Sequence, residues 1–143
     1  MLHPIKPPHF NPDFQVVSLY LEYDDKILLL HRLPHKSQGS KWGVPAGKRN
    51  SDEELTEALA RETFEETGFV INVADVSYSK SVYVTHPEHS FIYHMYHLKL
   101  IEEPSVKISP SEHQSFQWVS PTDALSMNLV DDLDTCITMF YHR

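Results

Sequence analysis

A chain of 143 residues with 41% hydrophobic residues is long enough for one core, and a formal net charge of −8 counts against a general nucleic-acid binder, which carries a basic face. An aromatic content of 11% argues against disorder. The single cysteine, Cys136, excludes an internal disulfide and a cysteine-built zinc site, and fits a reducing compartment.

The chain opens on MLHPIKPPHFNP, with four prolines and no apolar run of the kind a signal peptide needs. Residues 1–13 are therefore expected to form a Pro-rich arm, neither a regular helix nor a central strand. No stretch approaches the about 18 apolar residues of a membrane span. The expectation is a soluble cytoplasmic protein without a membrane partner or a stable nucleic-acid complex.

VVSLYLEY (16–23) and KILLLHR (26–32) flank Asp24-Asp25 and predict a hairpin rich in β-branched and aromatic residues. LPHKSQGS (33–40) reads as a loop and KWGVPAGK (41–48) as a short extended piece ending in a turn. Residues 51–67 predict the first helix, with Ser51 or Asp52 as N-cap, acids in its first turn and Gly68 at its C-terminal end. Strands are expected over 76–85, 90–100 and 114–120. Ser120, Pro121 and Asp123 mark a short helix start. An amphipathic helix is expected over 128–143, from Leu129, Leu133, Ile137 and Phe140. No repeat or internal boundary divides residues 1–143. The order of elements predicts one α/β domain, helices packed on a mixed sheet.

At about 100° per residue, Leu55, Leu59, Glu62, Glu66 and Phe69 share one stripe of the first helix, with Ala58 and Glu65 beside it. The stripe begins apolar, so it faces the core, and it then turns acidic. Glu53, Glu54, Glu57 and Arg61 fall on other faces, with Glu57 and Arg61 spaced as an i, i+4 pair. A Glu-rich helix ordinarily marks a solvated face. Inward carboxylates instead repel one another and resist burial unless a hard divalent cation joins them, and Mg²⁺ is commonly shared between carboxylates and substrate phosphates.

Residues 47–69, GKRNSDEELTEALARETFEETGF, resemble the Nudix box: Gly47, five residues, Glu53, seven residues, Arg61-Glu62, then Glu65-Glu66, Gly68 and Phe69. Thr63 departs from the pattern, which prefers an aliphatic residue there; Ala46 and Asp52 are milder departures. The WGVPAG approach and the segment EHQSFQWVSPTDAL extend the resemblance over most of the chain from about Phe14. It implies a Nudix-type α/β/α sandwich with a mixed β-sheet and a C-terminal helix.

The resemblance further implies a MutT-like pyrophosphohydrolase, in which water attacks a phosphorus of a nucleoside diphosphate linked to another moiety. A nucleoside triphosphate or a nucleotide sugar would serve as substrate. Glu62, Glu65 and Glu66 correspond to the ligands of Mg²⁺, with Mn²⁺ as the alternative ion, and the Gly47 carbonyl to a further ligand. Arg61 and Glu53 correspond to a pair that steadies the loop and helix. Glu112 resembles a distal glutamate that binds metal or acts as base, so Glu65 and Glu112 both stand as the general base, with His113 a weaker candidate. The alternative is a catalytically silent Nudix-fold sensor that binds nucleotides, although the complete carboxylate set argues for turnover.

Arg32, Lys41 and Lys48 are candidate phosphate contacts, and Trp42 and Tyr83 candidate stacking surfaces for a base. Ten histidines invite a zinc reading, but no zinc-binding spacing occurs among them. The oligomeric state is left open between monomer and homodimer.

Overall fold

The computed structural model describes residues 1–141. The strands are β1 (Leu2–His3), β2 (Phe14–Tyr23), β3 (Lys26–Arg32), β4 (Trp42–Gly43), β5 (Ala46–Lys48), β6 (Ser77–Thr85), β7 (Ser90–Leu100) and β8 (His113–Val119). The helices are α1 (Leu55–Thr67), α2 (Pro121–Ala124) and α3 (Leu133–Tyr141). The sheet runs β1-β6-β7-β2-β3-β4, with β5 added to β2 and β8 to β3. β2 and β7 pair in parallel from Phe14↔Phe91 to Tyr23↔Leu100, while the other pairs are antiparallel, so the sheet is mixed.

Strand alternation divides the core in two. Val17, Leu19 and Leu21 of β2 and Leu28 and Leu30 of β3 join Ala58 and Leu59 of α1. Tyr20 of β2 and Ile27 and Leu29 of β3 point to the other face, onto Leu133, Cys136 and Ile137 of α3. Helices thus cover both faces of the sheet, as the expected α/β/α sandwich requires. Because β2 is buried on both sides it reads as a nearly continuous apolar run.

Two helix starts differ from expectation. α1 begins at Leu55, with Glu54 as N-cap in place of Ser51 or Asp52. Residues 50–53 form a turn closed by Glu53 N–H to the Asn50 carbonyl at 3.1 Å and by Asn50 N–H to Glu53 Oε1 at 2.9 Å, which postpones the helix. α3 begins at Leu133, because Asp132 adopts left-handed backbone at φ 68° and Leu129 instead bridges to Trp42. The final two positions of the expected helix, 142–143, lie outside the described residues. Gly68 ends α1 as expected, at φ 73° with its N–H on the Phe64 carbonyl at 2.8 Å. The N-terminal arm contributes the edge strand β1, pairing Leu2 with Val84. No described helix is long and apolar enough to cross a membrane.

Candidate active site

α1 lies beside the short strand β5, which β2 holds through Val16↔Lys48, Val17↔Gly47 and Ser18↔Ala46. This brings Ala46 and Gly47 against the inner face of the helix. Ala46 N–H donates to Glu66 Oε1 at 2.8 Å. At Gly47 a β-carbon would fall 2.1 Å from the Glu62 carboxyl carbon, so any larger residue would push that carboxylate aside.

The buried side of α1 carries Ala58, Leu59, Thr63, Glu66 and Thr67. Glu62 is partly buried, and Glu65 is exposed, with 55% of its side chain accessible. The inward triad expected from the stripe is therefore a pair, because Glu65 sits past the edge of the buried arc and Thr63 takes its place. Thr63 fills the site where the box prefers an aliphatic residue, and its hydroxyl has no hydrogen-bond partner among the described residues.

Arg61 gathers the acids around it. Its Nε and Nη2 donate to the two Glu53 oxygens at 2.7 and 2.9 Å, and Nη2 also reaches the Lys48 carbonyl at 3.0 Å. Nη1 donates to Glu62 at 2.8 Å and to Glu65 at 3.4 Å. The guanidinium fork matches the Glu53 carboxylate with two parallel bonds. The Glu57–Arg61 pair expected from spacing does not form; Glu57 accepts the Glu54 N–H at 2.9 Å instead. The Arg61 bond, then the Asn50 N–H, holds the Glu53 carboxyl down at about 2.

Glu66 stands in the opposite condition. Burial, and then the Glu62 and Glu112 charges, push its carboxyl up to about 8 despite the Ala46 bond. His113, 4% exposed, puts Nε2 3.9 Å from Glu66 Oε2. Burial, and then Arg32, lower His113 to about 4, so the imidazole is neutral and the two groups form no ion pair. Its Nδ1 has no partner among the described residues. Glu112 pairs with Lys36 at 3.4 Å.

Beside this corner opens a cleft of ≈ 500 Å³, lined by Arg32, Ala46, Gly47, Lys48, Glu66 and His113 and also by Phe14, Phe91, His86 and His89. Of the expected substrate contacts, Arg32 and Lys48 face this cleft; Lys41, Trp42 and Tyr83 do not. Lys41 is engaged by Asp131 at 3.1 Å. Trp42 stacks on His31 with ring centroids 4.2 Å apart, as part of the core margin. Tyr83 meets Phe10 edge-on at 5.4 Å, while its neighbour Val84 takes the cleft side of β6. The cleft's own aromatic wall is Phe14 stacked on Phe91 at 5.1 Å, with Lys48 Nζ 4.1 Å from the Phe14 centroid. That wall follows from the parallel pairing of β2 with β7, which local sequence does not reveal.

Among the described residues, no three His, Cys, Asp or Glu side chains form a ready-made cation cage. The donor set still fits a hard divalent cation. Glu62 presents its carboxylate beside the Gly47 backbone and Glu66 its own beside the Ala46 N–H, and the high proton affinity of Glu66 is that of a buried carboxylate whose positive neighbour, Arg32, does not offset burial.

A sequence profile described as the NUDIX domain matches residues 13–139. The CTP pyrophosphohydrolase of Escherichia coli (strain K12) is 32% identical over 117 residues, spanning 80% of this chain and 82% of that protein. Among solved structures, the MutT protein from Methanosarcina mazei Go1 superposes with a TM-score of 0.77 at 28% identity, covering 91% of this chain and 94% of that one. The E. coli ORF135 protein superposes with a TM-score of 0.74 at 29% identity, covering 89% and 87%.

Proposed function

This chain belongs to the Nudix family of hydrolases, and we propose that it cleaves a phosphoanhydride bond of a nucleoside triphosphate with the help of a divalent cation, Mg²⁺ or Mn²⁺. The observation that carries this reading is the Glu62–Glu66 corner, one carboxylate against Gly47 and the other on the Ala46 N–H, where Glu66 lines a cleft together with Arg32 and Lys48. The printed name of the bacterial relative supports the choice of a triphosphate substrate.

Glu62 and Glu66 would hold the cation, with Glu65 at the solvent side and the Gly47 carbonyl beside them. When bound, such an ion supplies charge neutralisation at the phosphate oxygens and acidifies a coordinated water. The remaining work falls to the chain. Arg61 fixes the Glu62 carboxylate and ties α1 to Glu53 and the Lys48 backbone, so the ligands are oriented before substrate arrives. Ala46 N–H orients Glu66 through Oε1 and leaves Oε2 toward His113. Arg32 and Lys48 give the anionic substrate positive contacts on a protein that is acidic overall. Glu65 and Glu112 are the two carboxylates available to take the proton from water. Each lies beside a cation, Arg61 and Lys36 respectively, at 3.4 Å.

The test is a panel of nucleoside triphosphates, nucleotide sugars and dinucleotides, incubated with and without Mg²⁺, with products identified and cleavage in ¹⁸O-water locating the attacked phosphorus. Triphosphate turnover that requires the cation and is lost in Glu65→Gln or Glu112→Gln supports the reading. Tight nucleotide binding without turnover on any substrate contradicts it and leaves a nucleotide sensor.

A further inference from the structure

Two margins of the sheet are finished differently. On one, β6 is closed by the N-terminal arm, which pairs Leu2 with Val84 and His3 with Tyr83. Beyond the arm, the register of β6 shifts between Tyr78 and Lys80, and Lys80 sets a charge on the strand. A bulge and a lysine both discourage a further strand from adding there. β8, on the other margin, pairs with β3 alone. Among the described residues no loop backbone group bonds to residues 114–119, so one side of this seven-residue strand keeps its N–H and C=O groups open.

The side chains of β8 leave that edge unguarded too. β2 carries Glu22, β3 Lys26 and Arg32, β6 Lys80 and β7 Lys99, whereas β8 holds no Asp, Glu, Lys or Arg. Its exposed positions are Gln114, Phe116 and Gln117, with Phe116 41% accessible. Phe116 and Trp118 stand opposite Leu30 and Leu28 of β3, so they share the α1 face of the sheet. An open, uncharged edge is a template for one more strand.

We propose that this strand is β8 of a second copy, the two pairing antiparallel about a two-fold axis at Phe116, so that the sheet continues through a homodimer. Charge favours this occupant. A net charge of −8 makes two copies repel, and β8 is a margin where they meet without setting acid against acid. The strand is also self-complementary, as a two-fold interface requires. Phe116 meets its own counterpart as an aromatic cross-strand pair, Ser115 meets Gln117, and Gln114 meets Trp118. A single added strand is a small interface, so the dimer is expected to dissociate at concentrations on the order of 1–100 μM. β8 starts at His113, beside Glu66, so the interface runs up to the edge of the site.

Sedimentation equilibrium of the full chain at increasing concentration reads the dimer directly, and the wild type shows a reversible monomer–dimer equilibrium. Phe116→Lys and Phe116→Glu each set like charges opposite one another and weaken the dimer at least about tenfold. Far-UV circular dichroism checks that both variants fold. Because position 116 faces itself, mixing the two variants sets Lys against Glu and restores dimerisation, which a misfolded chain could not do. Ser77→Lys, at an exposed position on β6, leaves the equilibrium at wild-type strength. A wild type that stays monomeric throughout, a dimer that survives both Phe116 substitutions, or a mixture that fails to dimerise overturns the proposal.

Discussion

The clasp around Arg61 and the corner around Glu66 lie little more than one turn apart on α1, and they are in opposite electrostatic states. In the clasp each charge has an answer: Arg61 spends its donors on Glu53, Glu62, Glu65 and the Lys48 carbonyl, and Glu53 is held down at about 2. In the corner Glu66 has one backbone N–H, a neutral His113 and two like charges that Arg32 opposes too weakly, and its carboxyl is pushed up to about 8. The satisfied region shapes the site. The unsatisfied region is where an added cation and an anionic substrate gain most, since a charge deficit in a partly dry corner is what a ligand can relieve.

Breaking the corner separates activity from stability. Glu66→Gln keeps an acceptor for the Ala46 N–H and removes a buried charge. Turnover is expected to fall by on the order of 10²–10³, while the metal-free melting temperature stays level or rises. Steady-state kinetics and thermal unfolding on the same preparation check the split. Breaking the clasp lowers both quantities. Arg61→Lys loses the fork to Glu53, so activity falls about 10- to 100-fold, the range for residues that orient metal ligands. Stability falls by about 1–2 kcal/mol from lost charge-assisted bonds, read by denaturant unfolding.

Thr63 lies between the two regions, buried with an unanswered hydroxyl. Thr63→Val removes that hydroxyl at similar shape and is expected to stabilise the fold by about 1 kcal/mol without changing substrate preference. Calorimetric melting measures the gain. The smallest effect belongs to the acid limb of the clasp. Glu53 has a depressed folded-state pKa, so its stabilising contribution is complete above the ordinary carboxylate value of 4.5 and is lost as pH falls toward about 2. Glu53→Gln flattens the pH dependence of unfolding in that window, and urea titrations at pH 2.5 and 5 detect it.

How much of this was legible in the sequence follows from what each element depends on. β2, β3 and the inner face of α1 follow from local periodicity, so spacing alone points Leu59, Glu62 and Glu66 inward. A helical wheel gives direction but not what covers it, and Glu65 therefore emerged exposed. The i, i+4 rule paired Arg61 with Glu57, yet the turn at residues 50–53 delivers Glu53 to the fork and wins with two bonds. Phe14 and Phe91 became neighbours only through the parallel β2–β7 pairing. Spacing places Asp131 and Asp132 in a helix, because their apolar neighbours continue the helical period. Left-handed backbone at Asp132 stops the helix and turns these residues toward the cleft.

Titration of Mg²⁺ into the nucleotide-free protein by isothermal calorimetry, wild type beside Glu66→Gln, tests the central claim most directly. Glu62 and Glu66 acting together as oxygen ligands predicts a binding isotherm for the wild type and at least about tenfold weaker affinity for the variant. Equal affinity in both proteins would contradict it.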